Sequence, residues 1–189
     1  KGEISLSNSP AQNLLNLAEA KDKSISDLTV AVLDRPRHQD LIYQIKKAGA
    51  RVRLITGADL IWAIAAVRGR ANIDMLLGSG GAPEGILTAA AVKCLGGDME
   101  VKLCPRNEIE INKLRQVGID NWQQIFKLED VIQGEEVIFS LTGVTDGILV
   151  DGIKNNITQS IVMKRKSESQ SYIRKMETDY SIAENLKIS

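Results

Sequence analysis

Leu76-Leu77-Gly78-Ser79-Gly80-Gly81-Ala82-Pro83-Glu84-Gly85 is the stretch that decides how this chain folds. An apolar strand, Asp74 to Leu77, runs into it, and a helix begins near Pro83. Its four glycines let the backbone turn sharply and approach a ligand closely. Pro83 suits the first helical position, and Glu84 then sits in the first turn. The product is a bare helix N-terminus with a carboxylate beside it, at the C-terminal end of a strand. Open α/β sheets hold anions and metal ions in such places. The stretch reads either as a phosphate or metal-phosphate site or as a plain Gly-rich turn.

Working outward, the pattern is strand and helix in alternation. Pro10 to Ala20 carries Leu14, Leu15, Leu17 and Ala18 at helical spacing. Leu28 to Leu33 is a continuous β-branched and apolar run, which suits a strand buried on both faces of a parallel sheet. Pro36 opens a helix with Leu41, Ile42, Ile45 and Ala48 on one side, ended by Gly49. Arg51 to Thr56 is a strand, Asp59 to Val67 a helix, Pro83 to Leu95 a helix, Met99 to Cys104 a strand and Asn107 to Val117 a helix. Such alternation predicts a mostly parallel sheet with helices on both faces. From about Glu135 the helices stop. Val137 to Thr142, Ile157 to Lys164 and Ser171 to Met176 read as antiparallel strands added to the same sheet, with Gly143, Gly147, Gly152 and Asn155-Asn156 as turns. The fold class is therefore α/β, a three-layer sandwich with a mixed, mostly parallel sheet in a single domain over 1–189. The tail, Ser181 to Ser189, has little periodicity and reads as loosely held.

Composition narrows the function classes. Lys+Arg and Asp+Glu both number 24, so no bulk positive charge is available to hold nucleic acid. No apolar run approaches the roughly 18 residues of a spanning helix, so no membrane partner is expected. Cys94 and Cys104 show no metal or redox spacing and read as two buried thiols in a reducing compartment. Cytoplasm or a plastid stroma fits. The chain opens on Lys1-Gly2-Glu3-Ile4, which reads as a fragment or a truncated relative of something longer.

Three further segments carry candidate chemistry. Arg35-Pro36-Arg37-His38 follows directly on a strand, on the side where the Gly loop lies. Its two guanidiniums suit phosphate oxygens, which they match bidentately, or form a solvated basic loop. His38, the only histidine, reads as a helix-start hydrogen bonder and not as a base. Thr56-Gly57-Ala58-Asp59 closes the next strand. Phe139 to Gly147 is a Thr- and Asp-bearing turn that reads as structural.

Gly80-Gly81-Ala82-Pro83-Glu84-Gly85, followed by Ala89-Ala90-Ala91-Val92-Lys93-Cys94-Leu95-Gly96-Gly97-Asp98-Met99, closely resembles the class II fructose-1,6-bisphosphatases of the lithium-sensitive phosphatase superfamily. In cyanobacteria these are often dual fructose-1,6-/sedoheptulose-1,7-bisphosphatases. The resemblance runs from about Leu14 to about Tyr180 and covers the C-terminal part of the family's length. It implies metal-dependent hydrolysis of the 1-phosphate of fructose-1,6-bisphosphate or sedoheptulose-1,7-bisphosphate, in gluconeogenesis or the Calvin cycle, with Mn²⁺ or Mg²⁺ as cofactor and a tetramer as the assembly. It implies a metal ligand at Glu84, a substrate contact at Gly81, and phosphate contacts at Arg35 and Arg37 flanking Pro36. At Asp59 it implies a hydrogen bond to a sugar hydroxyl. The family usually has Asp-Gly-Asp where this chain has Gly57-Ala58-Asp59, and the lost carboxylate removes a charge-assisted hydrogen bond typically worth about 1.5–3 kcal/mol.

The family's Asp-Pro-(Ile/Leu)-Asp-Gly-Thr type metal motif is not found here, so the chain is expected to carry the sugar-binding half without the N-terminal metal-binding part. Little or no phosphatase activity is expected of it alone. The alternative is a non-catalytic sugar-phosphate-binding or subunit-interaction relative.

Overall fold

The computed structural model describes residues 2–167 and 170–179. Helix α1 (Pro10–Ala20) is capped by Ser9, whose hydroxyl accepts from the Gln12 N–H, with Pro10 at its first position. Then come β1 (Thr29–Leu33), a 3₁₀ turn over Pro36–His38, α2 (Gln39–Lys47), β2 (Arg51–Ile55), α3 (Asp59–Val67), β3 (Met75–Leu76) and α4 (Ala82–Cys94). The second half holds β4 (Glu100–Lys102), α5 (Glu108–Gln116), β5 (Ile125–Lys127), α6 (Leu128–Val131), β6 (Val137–Thr142), β7 (Ile157–Ser167) and β8 (Gln170–Asp179).

Strand β1 is the centre of a parallel sheet in the order β2-β1-β3. Thr29 to Leu33 pair in register with Arg51 to Ile55, and Val30 and Ala31 pair with Met75 and Leu76. Alternate residues of β1 feed two cores, as the period of two requires. Val30 and Val32 join Leu14, Ala18, Ile42 and Ile45 from α1 and α2 on one face. Ala31 and Leu33 join Ile55 and Ile73 on the other, with Trp62 and Ala66 of α3 packed against them. This sheet thus has helices on both faces. Its outer strand β2 exposes Arg51, Arg53 and Leu54. Charged side chains on an open edge discourage pairing with another chain.

Helix α4 makes the next layer. Ala89 and Val92 pack on Ala63 of α3 and Leu128 of α6, while Ala91 and Cys94 pack on Val137, Phe139, Ile161 and Met163. Three consecutive alanines let neighbours approach from both sides. At its C-terminal end a Cβ on Gly97 would lie 2.8 Å from the Val67 side chain, so α3 and α4 meet there at a distance only glycine permits.

The C-terminal strands depart from expectation. They do not join the parallel sheet but form their own antiparallel sheet, β6-β7-β8, on the far side of α4. The strand after α4 also leaves the parallel sheet, since β4 pairs antiparallel with β5. Neither β5 nor α6 is evident in the sequence pattern. Glu100-Val101-Lys102 lacks the continuous apolar run of β1 and is half-buried at most, so it cannot sit inside a sheet covered on both faces. Cys94 is buried as expected, but Cys104 is exposed, and both are free thiols. Burial pushes the Cys94 thiol up from its ordinary value. Among the described residues no helix is long and apolar enough to cross a membrane. The tail from Ser181 lies outside the described residues.

Asp74 locks the entry end of the parallel sheet. Its side chain is 6% exposed and accepts from Lys21 Nζ at 2.5 Å, Lys23 Nζ at 2.9 Å and the Thr29 N–H at 2.9 Å. Burial works against the charge, but the two ammonium groups and the N–H outweigh it and hold the carboxyl below its ordinary value. The stabilisation is complete above the ordinary aspartate value of about 3.9 and is lost as pH falls below it through the lower folded-state value. Asp74→Asn is expected to destabilise by about 1.5–3 kcal/mol in urea unfolding at neutral pH. The gap between variant and parent should narrow as the titration is repeated toward pH 3.

Candidate functional site

Parallel strands put their C-terminal ends on one edge of the sheet, and the candidate residues lie in the three loops that leave it. β1 runs out through Asp34, whose N–H donates to the Ile55 carbonyl at 2.8 Å. Arg35 is extended, at φ −141° and ψ 145°, and Pro36 starts the 3₁₀ turn. The Arg35 guanidinium donates to the carbonyls of Asp34 and Thr56, both at 2.8 Å, and so bridges the loops after β1 and β2. Arg37 reaches the other way. Its Nε donates to Ser79 Oγ at 3.0 Å and its Nη2 to the Ser79 carbonyl at 2.6 Å, which ties the loop after β1 to the Gly loop after β3. A guanidinium carries five N–H groups. Both arginines therefore keep donors beyond those that fix them.

Asp59 is the first residue of α3. Ala58, at the N-cap, holds the left-handed conformation φ 55°, ψ 43° and offers no side-chain cap. That conformation costs a residue with a Cβ roughly 1–2 kcal/mol. The Asp59 carboxylate lies against Gly80, where a Cβ would sit 2.7 Å from Oδ2. Gly81 is the N-cap of α4 and gives no side-chain cap either. The Glu84 carboxylate folds back from the first turn over Gly81 and fills the space a side chain would take. Two helix N-termini whose N-cap residues give no side-chain cap, two carboxylates and two guanidiniums thus share one edge of the sheet, with Asp59 Oδ1 accepting from the Leu60 N–H. Sequence reasoning names Arg35, Pro36, Arg37, Asp59, Gly81 and Glu84, and the fold brings them together there. Gly57 has nothing within 4 Å of where its Cβ would be, so a side chain at this position would stand in open space.

His38 differs from its sequence reading. It stands at the N-cap of α2 but makes no cap hydrogen bond. The ring is buried, 3% exposed, and turned toward the sheet edge. Nδ1 lies 2.8 Å from the Leu33 carbonyl, and Nε2 lies 2.9 Å from the Ser79 backbone N and 3.1 Å from its Oγ. The available signal was the isolated position of His38 right after the two arginines, and it did not reveal the partner. The turn after β6 behaves as the sequence suggests. Thr142 Oγ1 bonds Ser160 Oγ, while Asp146 accepts from the Gly152 N–H and from Lys154, so both side chains serve local structure. These bonds hold the Asp146 carboxyl below its ordinary value, the Gly152 N–H contributing most.

A divalent cation at this edge wants hard oxygen ligands. Glu84 is one. Among the described residues no group of three or more His, Cys, Asp or Glu side chains could hold a metal ion. The set present does not form a cage, and Glu84 is part of a coordination shell at most.

Residues 1–179 match the family model described as bacterial fructose-1,6-bisphosphatase, glpX-encoded. A D-fructose 1,6-bisphosphatase class 2/sedoheptulose 1,7-bisphosphatase of Microcystis aeruginosa is 35% identical, across 92% of this chain and 55% of its own length. Proteins of the same name from Synechococcus strains JA-3-3Ab and JA-2-3B'a(2-13) are each 37% identical, across 92% of this chain and 54% of theirs. The chain spans just over half the length of these curated relatives.

Gly78 holds φ +148°, and a Cβ there would meet His38 Cε1 at 3.2 Å and Nε2 at 3.3 Å. The ring is pinned and cannot give way. Gly78→Ala is therefore expected to destabilise by about 1–3 kcal/mol, whereas Gly57→Ala, in open space, should stay within about 0.5 kcal/mol of the parent. Thermal melts of the two variants side by side check this, and equal melting temperatures would contradict it.

Proposed function

Since the chain belongs to the bacterial fructose-1,6-bisphosphatase family of glpX-encoded enzymes, we propose that it is the sugar-phosphate-binding half of a metal-dependent phosphatase. Its substrate is fructose-1,6-bisphosphate or sedoheptulose-1,7-bisphosphate, hydrolysed at the 1-phosphate. The observation that carries this reading is the convergence of Arg35, Arg37, Asp59, Gly81 and Glu84 on the C-terminal edge of three parallel strands. Such an edge is where open α/β sheets receive ligands. The lithium-sensitive phosphatase fold, a homotetramer and a cytoplasmic or stromal location belong to the same proposal. The relatives are named as bisphosphatases, so the non-catalytic alternative is the weaker reading.

The roles follow from the chemistry of each group. Arg35 and Arg37 hold the phosphate that does not react. Their forks are already fixed by backbone carbonyls and the Ser79 hydroxyl, so little side-chain entropy is lost when an anion arrives. Asp59 accepts a hydrogen bond from a sugar hydroxyl beside Gly80. Gly81 brings bare backbone close to the sugar, and the N–H groups of the first turn of α4 favour negative charge there. Glu84 gives one carboxylate to a Mg²⁺ or Mn²⁺ ion, which would polarise the reacting phosphate and its attacking water. Among the described residues no group of three or more His, Cys, Asp or Glu completes that ion's shell.

Calorimetric titration with fructose-1,6-bisphosphate is the direct test. Binding is expected, and Arg37→Ala should weaken it by about 1.5–3 kcal/mol, roughly tenfold or more in Kd. Phosphate release with Mn²⁺ should stay at background for the chain alone. Release that Glu84→Ala abolishes would mean that the site is complete within these 189 residues, and absent binding would remove the sugar-phosphate reading altogether.

A further inference from the structure

The His38 contacts admit one hydrogen arrangement. The Ser79 backbone N–H can only donate, and it faces Nε2 at 2.9 Å. Nε2 must therefore present its lone pair. The Leu33 carbonyl can only accept, and it faces Nδ1 at 2.8 Å. Nδ1 must therefore carry the hydrogen. The imidazole is neutral, and each ring nitrogen has a fixed backbone partner. One partner is the last residue of the central strand β1 and the other is the middle of the Gly loop. Arg37, one residue earlier, grips the same Ser79 through its carbonyl and hydroxyl. Gly78 makes room for the ring by having no Cβ.

We infer that His38 is a positioning residue: its Nδ1–H tautomer, anchored on Leu33, pins Ser79 and thereby sets both the Arg37 guanidinium and the Gly80–Gly81 backbone that meet the ligand. It touches no ligand itself. It acts through Ser79, whose N–H the ring accepts while Arg37 holds the carbonyl and hydroxyl. The rigid end of β1 is thus transmitted to a flexible loop by one ring. For the identity of the ligand the inference rests on the sugar-phosphate reading above. For the lock itself it rests on contacts within the chain.

The test uses the fact that the chain has a single histidine, so its ring nitrogens give one unambiguous pair of ¹⁵N resonances. At neutral pH the expected spectrum shows a protonated Nδ1 and a bare Nε2, with the Ser79 amide protected from exchange. Two variants divide the ring's functions. Asparagine at 38 places an amide N–H where Nδ1 lies and leaves Ser79 without an acceptor. Glutamine places a carbonyl oxygen near Nε2 and restores that acceptor. His38→Asn should lose Ser79 protection and weaken fructose-1,6-bisphosphate binding on the order of tenfold or more. His38→Gln, which keeps the acceptor but loses the Leu33 anchor, should retain more of both than His38→Asn, with a melting temperature no higher than that of His38→Asn. A protonated Nε2, or His38→Asn with native protection and binding, overturns the inference. So do two variants that lose protection and binding equally, since the ring would then serve packing alone. Wild-type protein that shows the lock but binds no sugar bisphosphate overturns the sugar-phosphate reading and leaves the His38–Ser79 lock standing.

Discussion

The burial of β1 on both faces is the constraint on which the rest depends. A strand with no polar face is stable only between two covered layers, and its backbone groups must pair on both edges. Parallel neighbours β2 and β3 meet the second demand, and helices α1, α2 and α3 meet the first. Parallel pairing has a geometric consequence. All three strands end on the same edge, so the loops after Leu33, Ile55 and Leu76 are neighbours although they are far apart in sequence. The Asp74 cluster with Lys21 and Lys23 holds the opposite edge.

At the C-terminal edge of the parallel sheet, absent side chains matter as much as present ones. Asp59 lies where Gly80 has no Cβ, Glu84 lies over Gly81, and His38 lies over Gly78. Each polar group occupies volume that an alanine would take. Three glycines of one loop thus admit three different side chains from three elements, and the loop is packed by its visitors. Ala58 shows the same economy from the other direction. It holds a left-handed backbone despite its Cβ, and Asp59 begins α3 and meets Gly80.

Helix α4 joins this edge to the second half of the protein. Its N-terminus carries Gly81 and Glu84, while its small residues are packed between α3 and the antiparallel sheet. Arg165 of β7 donates to the Lys93 carbonyl at its C-terminal end at 2.8 Å, and the Lys93 ammonium donates to the Ile132 carbonyl. The helix that presents the candidate metal carboxylate is therefore held along its length and at its far end. A fixed support of this kind is what a positioned ligand group requires.

Local sequence determined the elements of the first half closely. Pro10, Pro36 and Pro83 marked helix starts, Gly49 marked an end, and the run from Leu28 to Leu33 marked a two-faced strand. Backbone sterics and hydrophobic periodicity act over a few residues, so they can be read from the chain. Family wording placed Arg35, Arg37, Asp59, Gly81 and Glu84 among the candidates, because glycine, proline and charge at fixed spacing carry chemistry that is visible locally. Partner choice was not visible. That β4 pairs with β5, that β6, β7 and β8 form a separate sheet beyond α4, and that Cys104 is exposed all depend on which surfaces remain after α4 has packed on both sides. The role of His38 was hidden for the same reason. Its ring binds Leu33 and Ser79, residues from two strands that only the parallel sheet brings side by side, and a hydrogen bond between distant residues leaves no periodicity in the sequence.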